Sequence, residues 1–240
     1  MSIRDIVISG SFNSRDLGGY QTQQGNLAWK KTFRSGNMVN VDQEGIATLK
    51  QLGVNRVIDL RSQKERQAEP DPFRPDYGIE LIAISLFDEL NPKQQPQGFS
   101  LLELYLHALE THGEAFVEVL RKIADCEKAV LFHCTAGKDR TGLIAALLLS
   151  LSGVNRDDII QDYAMTAMRI GPLLQNIEKT AAALKLDKVD FAPMLECKPE
   201  TMQKTLEWLD DKFDGSENYV REHGLTDREL QLLRGRWLAS

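Results

Sequence analysis

From Ala129 the chain reads AVLFH, breaks into the polar stretch CTAGKDRTG, and resumes as the apolar run LIAALLLSLSG. A short apolar run bounded by turn residues predicts a strand buried on both faces, and the longer apolar stretch beyond the polar break predicts a buried helix. Two earlier runs, GVNRVIDL (53–60) and IELIAI (79–84), predict further strands. Between them, DQEGIATLKQLG predicts a helix capped by Asp42 and stopped at Gly53. A long helical stretch is expected from about Leu101 to Ala124.

Strands alternating with helices predict an α/β fold, a central mostly parallel sheet flanked by helices. Beyond Gly153 the pattern becomes almost wholly helical. NRDDIIQDYAMTAM opens on Asn155, KPETMQKTLEWLDDKFDG carries Pro199 in its first turn, and TDRELQLLRGRWL sets Thr226 and Glu229 in a capping-box relation. LAWKKTFRSG (27–36) reads as an edge strand or hairpin with its cations facing solvent. EPDPFRPDYG and NPKQQPQG read as surface loops. No repeat or linker divides the chain, so residues 1–240 are expected to form a single domain.

Composition narrows the function. Lys and Arg total 29 against 35 Asp and Glu, a net charge of −6, which argues against a nucleic-acid or membrane-surface binder held by bulk charge. Any anionic substrate must be attracted locally. No run is long and apolar enough for a signal peptide or a membrane span. Three cysteines without C-x-x-C spacing suggest neither a disulfide framework nor a zinc site. The expected setting is a reducing cytoplasm, with no cofactor or metal.

Cys134 stands where a parallel strand hands over to a helix, the edge at which open α/β sheets bind ligands. Backbone N–H groups opening a helix stabilise a thiolate and a phosphate alike. Gly137 lets the backbone turn, Gly142 lets the helix pack closely, and Arg140 offers a planar fork to a phosphoryl group. A bare C-x5-R arises by chance in about 15% of such chains, and adding the two glycines lowers the coincidence by about two hundredfold.

HCTAGKDRTG resembles the H-C-x5-R-[ST] loop of cysteine-dependent phosphatases. Its Lys-Asp-Arg interior is similar to that of the bacterial atypical tyrosine/serine phosphatases related to phosphoinositide phosphatases. FNSRDLGGY, FRSGNM, VIDLRSQKERQAEPDP and GSENYVREHGLTDRELQLLR resemble other signatures of that family, so the likeness spans nearly the whole chain. It implies the cysteine-dependent phosphatase fold with a helical C-terminal third. It also implies metal-independent hydrolysis of phosphomonoesters on phosphotyrosine, with phosphoserine, phosphothreonine and phosphoinositides as further candidates. The expected partners are thus phosphorylated proteins or phospholipid head groups.

In this reading Cys134 is the nucleophile, and Thr135, Ala136, Gly137, Lys138, Asp139 and Arg140 bind the phosphate. Thr141 offers its hydroxyl to the thiolate. The resemblance assigns His133 a hydrogen-bonding role that supports the loop, and Lys138 a second cation at the mouth. Arg15 and Asp16 read as a buried ion pair tying the N-terminus to the loop. Two carboxyls compete as general acid: Asp88, on a segment leaving the sheet at the same edge, and Asp139, within the loop. Asp88 is preferred because two cations flank Asp139. A rhodanese-type sulfurtransferase and a silent phosphate-binding module are the alternatives; the rhodanese loop usually has a shorter Cys-to-Arg interval.

Overall fold

The computed structural model describes residues 3–87, 100–171 and 197–237. Its main sheet has five strands: β1 (Arg15–Asp16), β4 (Thr32–Ser35), β5 (Val54–Asp59), β6 (Glu80–Ala83) and β7 (Ala129–His133). Their spatial order is β1-β4-β7-β5-β6. Only β1 runs antiparallel to its neighbour. A small hairpin of β2 (Gln21–Thr22) and β3 (Gly25–Asn26) stands apart.

Helices cover both faces. On one, α1 (Gln43–Gln51) lays Ile46 and Leu49 against Phe33, Val57 and Leu131. On the other, Ile58, Val130 and Phe132 meet α3 (Leu101–Thr111), α4 (Gly113–Ala124) and α5 (Asp139–Leu151). The one-residue alternation along β7 sends neighbouring side chains into opposite cores, so all five of its residues are buried. Helix α5 is buried along its length except at Ser150, because sheet and helices enclose it. Behind it lie α6 (Arg156–Ala164), α7 (Pro199–Phe213), α8 (Ser216–Glu222) and α9 (Asp227–Trp237). Short α2 (Gln63–Ala68) follows β5.

The expected caps are present. Asp42 accepts from Gly45 N–H at 2.9 Å, Asn155 accepts from Asp158 N–H at 2.9 Å, and Thr226 and Glu229 bond reciprocally. Three expectations are revised. The stretch 101–124 is two helices broken at His112, whose φ of −122° and ψ of 22° leave the helical region, and a side chain at Gly113 would strike the His223 ring. LAWKKTFRSG supplies an interior strand, β4, flanked by β1 and β7, and Arg34 is wholly buried. EPDPFRPDYG is no mere surface loop, since the Asp71 side chain is fully buried against the sheet edge. The NPKQQPQG stretch lies outside the described residues. Among the described residues no helix is long and apolar enough to cross a membrane.

Candidate active site

Strand β7 ends at His133, and Cys134 to Lys138 form the loop that leads into α5. Parallel pairing sets Ser35 of β4 and Asp59 of β5 beside His133, so three strands deliver their carboxyl ends to one edge. Segments that follow those strands encircle the loop.

The loop is held by its carbonyls. Asn37 N–H donates to Thr135 O at 3.0 Å. The Asn13 amide donates to Ala136 O at 3.1 Å and Gly137 O at 3.0 Å, and Arg34 Nη2 donates to Gly137 O at 2.7 Å. In a trans peptide the N–H lies on the edge opposite the C=O. The amides of Ala136, Gly137 and Lys138 are therefore turned away from these anchors, beside the N-terminus of α5. Such a set of amides favours an anion. Gly137 is required here: its φ is +67°, and a Cβ would stand 2.4 Å from Ser35 O.

Arg140 is wholly buried and faces Glu65 of α2. Its Nη1 and Nη2 donate to the two carboxylate oxygens at 2.6 and 2.8 Å, and Nη2 also reaches Thr135 Oγ1 at 3.2 Å. The Thr135 hydroxyl donates to Glu65 at 2.7 Å. Burial pushes the Glu65 carboxyl up, but bonds and charge from Arg140, then Thr135, outweigh it and bring the pKa down to about 2. Glu65 accordingly joins Thr135, next to the cysteine, to the arginine that closes the loop.

Behind the loop His133 reaches two ways. Nδ1 donates to Cys134 O at 3.3 Å, and Nε2 lies 3.0 Å from Asp71 Oδ2. Burial would raise the Asp71 carboxyl, yet His133 and then Arg61 hold it below its ordinary range. Asp59, Asp71 and His133 offer ligand atoms within 4.8 Å of one another. However, Arg61 Nη2 already donates to both carboxylates at 2.8 Å, so a cation of this chain occupies that position.

Asp139 is buried where α5 begins. It accepts from the Tyr105 hydroxyl at 2.5 Å and lies 3.2 Å from Lys138 Nζ. Tyr105 and Tyr163 share a 2.9 Å hydrogen bond, and burial, followed by the charge of Asp139, raises both phenols well above their ordinary value. Cys197 lies among the same charges: burial and then Asp139, opposed by Lys138, raise its thiol to about 11.

His133, Cys134, Thr135, Ala136, Gly137, Lys138, Asp139, Arg140 and Thr141 thus form one constellation. Lys138 differs from the expected open cation, being 2% exposed and paired to Asp139. Arg15 pairs with Asp162 rather than Asp16, whose carboxylate instead accepts from Gly18 N–H and Lys30 N–H. Asp88 lies outside the described residues. Sequence reading did not single out Asn13, Arg34, Glu65, Asp71 or Asp162. Only Glu65 left a local trace, in the S-x-x-E spacing of its capping box with Ser62. An open groove of about 750 Å³, lined by Trp29, Lys31, Cys126, Arg228 and Arg236, lies at the other end of β7, away from the loop.

The model of the tyrosine phosphatase family matches residues 6–239. A tyrosine-protein phosphatase of Nostoc commune is 31% identical over 219 residues, 87% of this chain and 74% of that protein. The triple specificity protein phosphatase PtpB of Mycobacterium tuberculosis is 26% identical over 279 residues, covering 98% and 99%. Among solved structures, the core catalytic domain of the PP-IP phosphatase SIW14 from S. cerevisiae aligns at a TM-score of 0.38 and 17% identity, over 74% of this chain and 89% of that one. A family match spanning the strands, the cysteine loop and the C-terminal helices leads to one conclusion: this chain belongs to the tyrosine phosphatase family.

Proposed function

We propose that the chain hydrolyses phosphomonoesters through a cysteinyl-phosphate intermediate. In the first step a lone pair of the Cys134 thiolate forms the S–P bond while the P–O bond to the leaving group breaks. The departing oxygen keeps that pair and takes a proton from a carboxylic acid. In the second step water attacks phosphorus, the S–P bond breaks, the thiolate leaves with its electrons, and a carboxylate takes the proton from water. Arg140 and the loop amides bear the charge on the equatorial oxygens throughout.

The observation that carries this reading is Cys134 at the start of an anchored loop whose arginine is aligned by Glu65. Thr141 fits the assigned role, since its buried hydroxyl has no hydrogen-bond partner among the described residues. His133 acts as a support for the loop, not as a base. Asp139 is already engaged by the Tyr105 hydroxyl and by Lys138, and that supports Asp88 as the acid of the first step.

The substrates proposed are phosphotyrosine proteins first, then phosphoserine and phosphothreonine proteins and phosphoinositide head groups. The wider range is drawn from the triple specificity named for PtpB. The whole chain is read as one phosphatase domain working in the cytoplasm, where three free thiols stay reduced. The five-residue interval between Cys134 and Arg140 and the family match favour this over sulfur transfer or silent phosphate binding.

Turnover should be measured on a phosphotyrosine peptide, a phosphoserine peptide and a phosphoinositide, with Cys134→Ser as control. Release of phosphate by the parent, absent in the variant, is the expected result. Equal release by both overturns the covalent mechanism.

A further inference from the structure

On the side of the loop where its carbonyls are held lies a buried cluster of charge. Arg34 Nη1 donates to Asp162 Oδ2 at 2.5 Å, and Arg15 Nε donates to Asp162 Oδ1 at 2.9 Å. Arg15 also reaches Asp162 O, Thr166 Oγ1 and Asn13 Oδ1. Tyr20 O–H donates to the same carboxylate at 3.2 Å. Both guanidiniums are 0% exposed and the carboxylate 1%. Two cations and one anion leave one positive charge in surplus, in a place where an unmatched charge is strongly disfavoured.

The other charges around the loop, among the described residues, are matched. Arg140 faces Glu65, Lys138 faces Asp139, and Arg61 faces Asp59 and Asp71 beside the His133 ring. Burial, then the like charge of Arg15, brings Arg34 down to about 10, while Asp162 and Cys134 pull it up. Gly142 lets this cluster close on α5: an added Cβ would lie 3.1 Å from the Tyr163 ring and 3.8 Å from Arg34 Nη2.

We infer that Arg15, Asp162 and Arg34 form the electrostatic floor of the anion cradle. Their surplus positive charge is balanced by whatever anion the loop holds, the Cys134 thiolate in the free enzyme and phosphoryl oxygens in its complexes. Arg34 is the positioning residue of the set. It carries the charge and holds the Gly137 carbonyl turned away, so the following amide faces the ligand. The inference rests on the loop being a phosphate cradle.

The test separates charge from scaffold. Binding of inorganic tungstate is measured by calorimetry in the catalytically inert Cys134→Ser background. Tungstate binding in that parent is required first; its absence overturns the cradle itself and with it the floor. Arg34→Met should weaken tungstate at least about tenfold, and Arg34→Lys should recover most of that loss, because the charge returns without the fork. Asp162→Asn adds to the surplus and should bind tungstate at least as tightly as the parent.

A purely structural cluster predicts the opposite pattern. If Arg34→Lys binds as poorly as Arg34→Met, or folded Asp162→Asn loses affinity as Arg34→Met does, the inference is overturned. Should Asp162→Asn fail to fold, Arg15→Met replaces it. That variant removes a charge and breaks no direct bond to Gly137, although it frees the Asn13 side chain that makes one; affinity must fall, and an unchanged affinity overturns the charge argument. Melting temperature and circular dichroism establish which variants are folded.

Discussion

Glu65 and Arg140, 75 residues apart in the chain, meet fork to fork, with both carboxylate oxygens accepting from both terminal nitrogens of the guanidinium. This pairing fixes the plane in which Arg140 presents its remaining edge to the loop. Glu65→Gln keeps the capping-box contact with the Ser62 backbone, so α2 should still start where it does. Arg140 then loses the carboxylate that aligns it. The expected outcome is a fall in kcat/KM of about ten- to a hundredfold with a melting temperature within a few degrees of the parent, read by steady-state kinetics on an aryl phosphate. Unchanged kcat/KM would show that Arg140 needs no alignment.

Replacing the arginine itself should cost more. Arg140→Lys keeps the charge but loses the planar fork that reaches Glu65, Thr135 and the substrate together. A loss of turnover of about a hundredfold or more is expected from the same assay. A change smaller than about tenfold would rule against bidentate phosphate contact.

The acid assignment is decided by leaving group. Asp139→Asn and Asp88→Asn are compared on an aryl phosphate with a good leaving group and on one with a poor leaving group. Loss of the acid should slow the poor leaving group far more and flatten the basic limb of the pH profile. That pattern is expected for Asp88→Asn. Asp139→Asn should instead loosen the contacts with Tyr105 and Lys138 and slow both substrates alike. The reverse pattern would transfer the role to Asp139.

Acid should undo the fold through its buried carboxylates. Arg15 and Arg34 outweigh burial and hold Asp162 well below the ordinary range, His133 and Arg61 do so for Asp71, and Arg140 holds Glu65 at about 2. A depressed carboxyl contributes stability that is fully present above its unfolded pKa of about 4 and lost as pH falls toward its folded value. Melting temperature should therefore be steady between about pH 5 and 7 and fall steeply below about pH 4. Glu65→Gln should show a shallower fall, measured by thermal scans at stepped pH.

What the sequence made legible was what periodicity and local spacing encode. AVLFH, the glycine-bearing loop and the apolar helix after it could be read because strand, turn and helix start are neighbours in the chain. The caps at Asp42, Asn155 and Thr226 are legible for the same reason. Arg34 was misread because LAWKKTFRSG carries three cations among few apolar residues. The strand is interior because Asp162, 128 residues away, pairs with Arg34, the one cation of that segment that is wholly buried. Asp71 was hidden in a proline-rich segment whose destination, the His133 ring, no local pattern records. Arg15 was assigned to its neighbour Asp16, although successive strand residues point to opposite faces and the partner had to be sought elsewhere.

The anchors of the loop also bear on how activity is acquired. Asn13 reaches Ala136 across 123 residues and Arg15 reaches Asp162 across 147, so the catalytic loop is completed by some of the most distant closures in the chain. Such closures form late, after local helices and adjacent strands are in place. A refolding chain should recover its helical circular dichroism before its first turnover. During synthesis Cys134 leaves the ribosome well ahead of Asp162, so its loop stays unanchored on one side until most of the chain has been made.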